Sequence, residues 1–194
     1  MNRAEVYYLE LAKRFAAVAG QFAQAFVQAN TRLDMGAILT PARLANSEGT
    51  RLSLAALAEM KKLNQAHQAS YQKFMLSYAN EMTAAVDALP TGVAEQCRQT
   101  MTARLNHELN MQNRFQHARE HWIEAAEAIC QLIESRRATC VFSEAGIHFA
   151  KKDDRQGFCD LLDIIKDSYR IEMAIAEARS KQSLIQFSLP HYLA

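Results

Sequence analysis

Between Pro41 and Ala150 the chain carries one strong helix break, Leu89-Pro90-Thr91-Gly92. Upstream of it the larger side chains fall at Leu57, Met60, Asn64, His67, Tyr71, Phe74, Tyr78, Met82, Ala85 and Leu89, in steps of three and four. That is the near-heptad seam of a helix packed lengthwise on another. Downstream, Val93, Cys97, Met101, Leu105, Leu109, Phe115, Trp122, Ala126, Cys130 and Ile133 continue the seam, with wider gaps before Phe115 and Trp122. No alternation of the kind a strand needs persists in either arm. Pro90 cannot continue a helix and disfavours helical geometry at Leu89, Thr91 is placed to cap a new helix, and Gly92 relieves the turn. So short a turn predicts antiparallel arms, with facing residues whose numbers sum to about 182. Met82 then meets Met101, Tyr78 meets Leu105, Met60 meets Trp122 and Leu57 approaches Ala126. Apolar meets apolar along most of the hairpin.

Only 6 Gly and 3 Pro interrupt the sequence, which favours long helices over a many-stranded fold. A first helix is expected over about 4–30. Asn2 and Glu5 resemble a capping box, and Tyr8, Leu11, Phe15, Val18, Phe22, Phe26 and Ala29 form its stripe. Thr40-Pro41 is a helix start, although Asn46-Ser47-Glu48-Gly49 offers a second one. The arms are expected over 41–89 and 92–151, with Thr139 to Phe142 and Gly146 as kink points. A last helix is expected over 155–187, with Phe158, Leu162, Ile165, Tyr169, Met173 and Ala176 on one face and Pro190 ending it. The predicted fold is one all-α domain over 1–194. It is an elongated antiparallel helical hairpin with two outer helices forming a four-helix bundle at one end.

Idealised helix lengths place both outer helices at the open end and leave the tip, about 70–112, without cover from its own chain. Exposed apolar surface there would mark a partner site. The residues expected to form it are Tyr71, Phe74, Met75, Tyr78, Met82, Met101, Leu105 and Met111, and the economical partner is a second copy. A kinked arm folding into a compact monomer is the alternative.

Net charge is +1, with no bias toward nucleic acid. Arg98, Arg104, Arg114 and Arg119 recur on the second arm, but Glu95, Glu108 and Glu120 interleave, as on a solvated mixed face. The four cysteines, Cys97, Cys130, Cys140 and Cys159, form no CxxC pair and read as reduced, which points to the cytoplasm. No apolar stretch approaches membrane-spanning length.

His117-Ala118-Arg119-Glu120-His121 has the form HxxEH and resembles the zinc signature of inverted zinc peptidases. The resemblance covers five residues, and the third ligand and mixed α/β fold of that family have no counterpart. Hairpin register brings His67 toward His117 and His121, so these three are the candidate metal ligands. The plain reading of Asn64 and His67 is that of polar seam residues fixing register. No Glu-x-x-His pair, phosphate-binding glycine loop or nucleophile elbow occurs; Glu144 and His148 stand four apart and alone. No cofactor is expected. The sequence reads as a non-enzymatic helical interaction or scaffold protein acting as an elongated homodimer, with an unknown protein partner. A lipid- or granule-surface coat, BAR-like or phasin-like in layout only, and a His-based metal-binding bundle are the other readings.

Overall fold

The computed structural model describes residues 3–143 and 146–187. Asn2, Glu144 and Pro190 lie outside them. The chain is all-α apart from one small hairpin. Helix α1 (Arg3–Thr31) is followed by a 3-10 turn (Met35–Ala37) and the short α2 (Pro41–Leu44). The arms are α3 (Ser47–Asp87) and α4 (Thr91–Arg136). A second 3-10 turn (Arg137–Thr139) leads to strands β1 (Cys140–Ser143) and β2 (Gly146–Phe149), and α5 (Lys152–Phe187) closes the described chain.

Both candidate helix starts are used. Thr40 accepts from the Arg43 amide at 3.4 Å ahead of Pro41, and Asn46 Oδ1 accepts from the Gly49 amide at 2.8 Å. Each cap satisfies an amide that a helix N-terminus leaves unpaired. The close approach of the two short turns makes Gly49 compulsory. A Cβ there would lie 1.7 Å from the Arg43 carbonyl oxygen. At the hairpin turn the cap position is Pro90, not Thr91, and no side chain caps α4; Thr91 is its first residue.

The hairpin register holds. Leu57, Met60, Trp122 and Ala126 share one core cluster, and Tyr78, Met82, Met101 and Leu105 share a second. The second arm, however, ends at Arg136 and does not run on to residue 151. Cys140-Val141-Phe142 and Ile147-His148-Phe149 pair as antiparallel strands, with Val141 opposite His148. β-branched and aromatic residues favour that pairing over a helix, and Gly146 holds φ +141, which L side chains avoid. Phe142, Ile147 and Phe149 cap the base cluster beside Phe158 and Leu161. Arg137 braces the corner by donating to the Leu44 carbonyl and to Thr50 Oγ1, both at 2.7 Å.

The outer helices do not sit side by side at the base. The α1–α3 connection doubles back along α3, where Ser53 Oγ donates to the Ile38 carbonyl at 2.7 Å. Helix α1 therefore starts its return several turns further along than idealised lengths predict. Phe26 stacks on His67 at 4.1 Å and Phe15 meets Tyr78 at 4.7 Å. Leu11 and Phe15 are buried against Met82, Ala85, Val86 and Leu89. So the tip is covered by its own chain, contrary to the bare two-helix end expected above. Burying each such side chain contributes about 1.5–3 kcal/mol, enough to seat α1 there. Helix α5 runs back along α4, with Arg136 paired to Asp154 at 3.1 Å and Arg179 donating to Gln112 at 2.9 Å. The chain's accessible surface is 12299 Å², against about 9,300 Å² for a compact protein of its mass, as an elongated shape requires.

Two glycines separate packing from propensity. Gly49→Ala should lower stability by about 1–3 kcal/mol, because backbone must move. Gly20→Ala, with nothing within 4 Å of the new methyl, should raise it by about 0.5–1 kcal/mol. Urea unfolding followed by circular dichroism measures both.

Candidate functional site

The four long helices meet around Arg119. It lies on α4, and its guanidinium faces the interior, with its side chain only 10% exposed. Nη2 donates to Glu172 Oε2 of α5 at 2.5 Å. The guanidinium carbon stands 5.6 Å from the Phe115 ring centre and 6.0 Å from that of Phe26 on α1. Nη1 faces the Met35 and Met60 sulfurs. Burial pushes the Glu172 carboxyl above its ordinary range, and Arg119 pulls it partly back. An arginine in such a place must be paired, since an isolated buried charge is far costlier than the pair.

Asn64, His67, Gln112 and Gln116 extend this polar layer along the core. Gln112, Gln116 and Asn64 are buried. Arg119 Nε, Gln112 Nε2, both amide atoms of Gln116, Asn64 Oδ1, His67 Nδ1 and Glu172 Oε1 have no protein hydrogen-bond partner. The set mixes donors and acceptors around a balanced ion pair. Its chemistry suits setting register and holding neutral polar groups.

Sequence reasoning assigned Arg119 to a solvated face, and the structure corrects that. A signal was present: the seam steps from Phe115 to Trp122 across a gap that Arg119 fills, and from Leu109 to Phe115 across Gln112. Both gaps mark inward positions held by polar residues.

The predicted metal ligands are placed differently from one another. His67 is half-buried under Phe26, and burial together with Arg179 holds its imidazole below the usual range. His117 is exposed, 3.7 Å from Glu120, and His121 is exposed as well. Among the described residues no group of three or more His, Cys, Asp or Glu side chains is arranged to hold a metal ion, so the three histidines are not brought together as a ligand set.

The predicted contact residues are mostly interior. Met75, Met82, Met101 and Met111 are buried, and Tyr71, Phe74, Tyr78 and Leu105 are half-buried. Phe74 lies 5.6 Å from Phe15 and 5.4 Å from Phe22, so α1 uses this surface. Burial pushes the Tyr8 and Tyr71 hydroxyls up to about 12.

Among the described residues, exposed large apolar side chains occur singly or in pairs on α1, α3, α4 and β1, among them Val27, Leu76 and Val141, and four lie on α5. Tyr169 is 58% exposed and Met173 51%, although the sequence stripe placed both on the core side. Ser168, Glu172 and Ile175 take the inward positions. Glu172 is drawn inward as the counter-charge of Arg119, which turns Tyr169 and Met173 outward. Ile164 and Ile171 are also exposed, on the other margin of the buried stripe.

The four cysteines are free thiols. Cys130 is buried, and desolvation pushes its thiol up to about 11, while Cys159 is exposed. No helix of the described residues is long and apolar enough to cross a membrane. No protein family, curated protein or solved structure matches this chain.

Two predictions follow from the polar layer. Arg119→Met alone strands the Glu172 carboxylate and should cost about 3–5 kcal/mol, whereas Arg119→Met with Glu172→Leu should recover most of the loss. Denaturant titration of the three chains tests this coupling. His67 has a depressed folded pKa, so its contribution to stability is present above the ordinary value of about 6.5 and is lost as pH falls. Between about pH 7.5 and 5.5 the melting temperature of the native chain should drop more than that of His67→Gln.

Proposed function

We propose that the chain is a non-enzymatic helical interaction protein that acts as an elongated homodimer. The observation that carries this reading is the apolar arc of α5. At about 100° per residue, Ile164 and Ile171 border the buried stripe on one side and Tyr169 and Met173 on the other. The arc is therefore much wider than the single neighbour α4 covers. Apolar surface of this kind, set on a rigid helix and rimmed by Arg170 and Glu177, is what a partner helix buries. A two-fold axis brings the same helix of a second copy against the Tyr169–Met173 margin, and that one surface then serves both protomers.

The dimer surface thus moves from the tip to α5, because α1 already occupies the tip residues. The polar layer supports a structural role. It fixes how α5 is rotated, since Glu172 must face Arg119.

Light scattering coupled to size exclusion tests the reading. The native chain should show twice 21.9 kDa, and Tyr169→Glu with Met173→Glu should give a monomer of unchanged helicity. Both positions are exposed, so loss of fold is not the expected result. A native chain that stays at 21.9 kDa at high concentration overturns the homodimer.

A further inference from the structure

A groove of about 500 Å³ runs between α1 and α3 on the side of the bundle formed by their outer edges. Phe15, Val18, Phe22 and Phe74 make its apolar wall and floor. Its α3 side extends from Ser70 to Glu81, about three helical turns or roughly 16 Å. The rim is charged. Arg14 pairs with Glu81, which also accepts from Ser77 Oγ at 2.9 Å, so that end is neutralised. Lys73 is exposed on the same rim, and none of the ion pairs among the described residues involves it.

We infer that this groove docks an amphipathic helix of another protein, one that carries an acidic side chain on the flank facing Lys73. The inference rests on the reading of the chain as an interaction protein but uses a surface separate from α5. Three features select this occupant. The groove lies between two antiparallel helices, so a third helix can lay residues at i, i+3 or i+4, and i+7 along it. It is open along its length, so an acyl chain would keep one side in water, whereas an amphipathic helix brings its own polar face. Lys73 supplies an unbalanced positive charge over an apolar floor, which favours an acidic flank and disfavours a basic one.

Selection of a displayed library of helical peptides on the full-length chain tests this. The expected winners carry apolar residues at helical spacing with Asp or Glu beside them. Anisotropy titration of a recovered peptide should show about a tenfold weakening with Lys73→Glu, and recovery when the peptide acid is changed to Lys. Val18→Asp, at a half-buried helix position, should abolish binding. Failure to enrich any helix overturns the proposal. Winners indifferent to Lys73→Glu and Val18→Asp also overturn it, as does full displacement by oleate, which would reassign the groove to a lipid carboxylate. Particle mass separates the two readings. Lys73→Glu should leave the oligomer unchanged, so a dimer without peptide binding sinks only the groove, and peptide binding by a monomer sinks only the dimer.

Discussion

A guanidinium placed inside a helical bundle constrains everything around it. Arg119 sits where α1, α3, α4 and α5 converge, and its charge can be held there only by a counter-charge at contact distance. Glu172 supplies it. For Glu172 to face inward, Ser168 and Ile175 must share its side of α5. Tyr169 and Met173 then turn outward, although their spacing alone would make them core. One polar pair in this way sets the rotation of the last helix, and that rotation decides which apolar surface the protein offers to others.

The second constraint is where the connection after α1 puts that helix. Ser53 binds the Ile38 carbonyl, so the chain between α1 and α3 lies along the base of the hairpin. The space there is filled by Leu33, Met35, Ile38 and Leu39. Helix α1 is displaced toward the tip, where Leu11 and Phe15 close a second core. The hairpin is thus covered in two stretches, by α5 from the base and by α1 from the tip. The outer helices overlap along the middle of the hairpin, where Phe26 of α1 stacks on His67 and Arg179 of α5 reaches Gln112. Each leaves an edge open, and the α1–α3 groove and the margins of α5 are those edges.

Much of this was legible. The steps of three and four along both arms, broken once at Pro90, are enough for the hairpin and its register, since facing apolar residues must coincide for either helix to be buried. The candidate surfaces were much less so. The tip residues were correctly read as apolar and helical, but their cover comes from a helix distant in sequence. The histidines were read as neighbours from register alone. Register fixes height along a hairpin and not the side of the helix, and His117 and His121 point away from the seam that His67 lies on.

Local chemistry by itself determined the helices, their caps at Thr40 and Asn46, the turn at Pro90 and the antiparallel pairing of the arms. These follow from backbone propensity and periodic burial, which act between residues close in the chain or tied by a short turn. Tertiary structure alone decided the displacement of α1 and the rotation of α5, and it decided where the paired strands Cys140–Ser143 and Gly146–Phe149 are seated. Each depends on a contact between distant segments: Ser53 with Ile38, Arg119 with Glu172, and Phe142 and Phe149 with the base core. Such contacts compete with local preference by a few kcal/mol, and their outcome is not written in any one stretch of the chain.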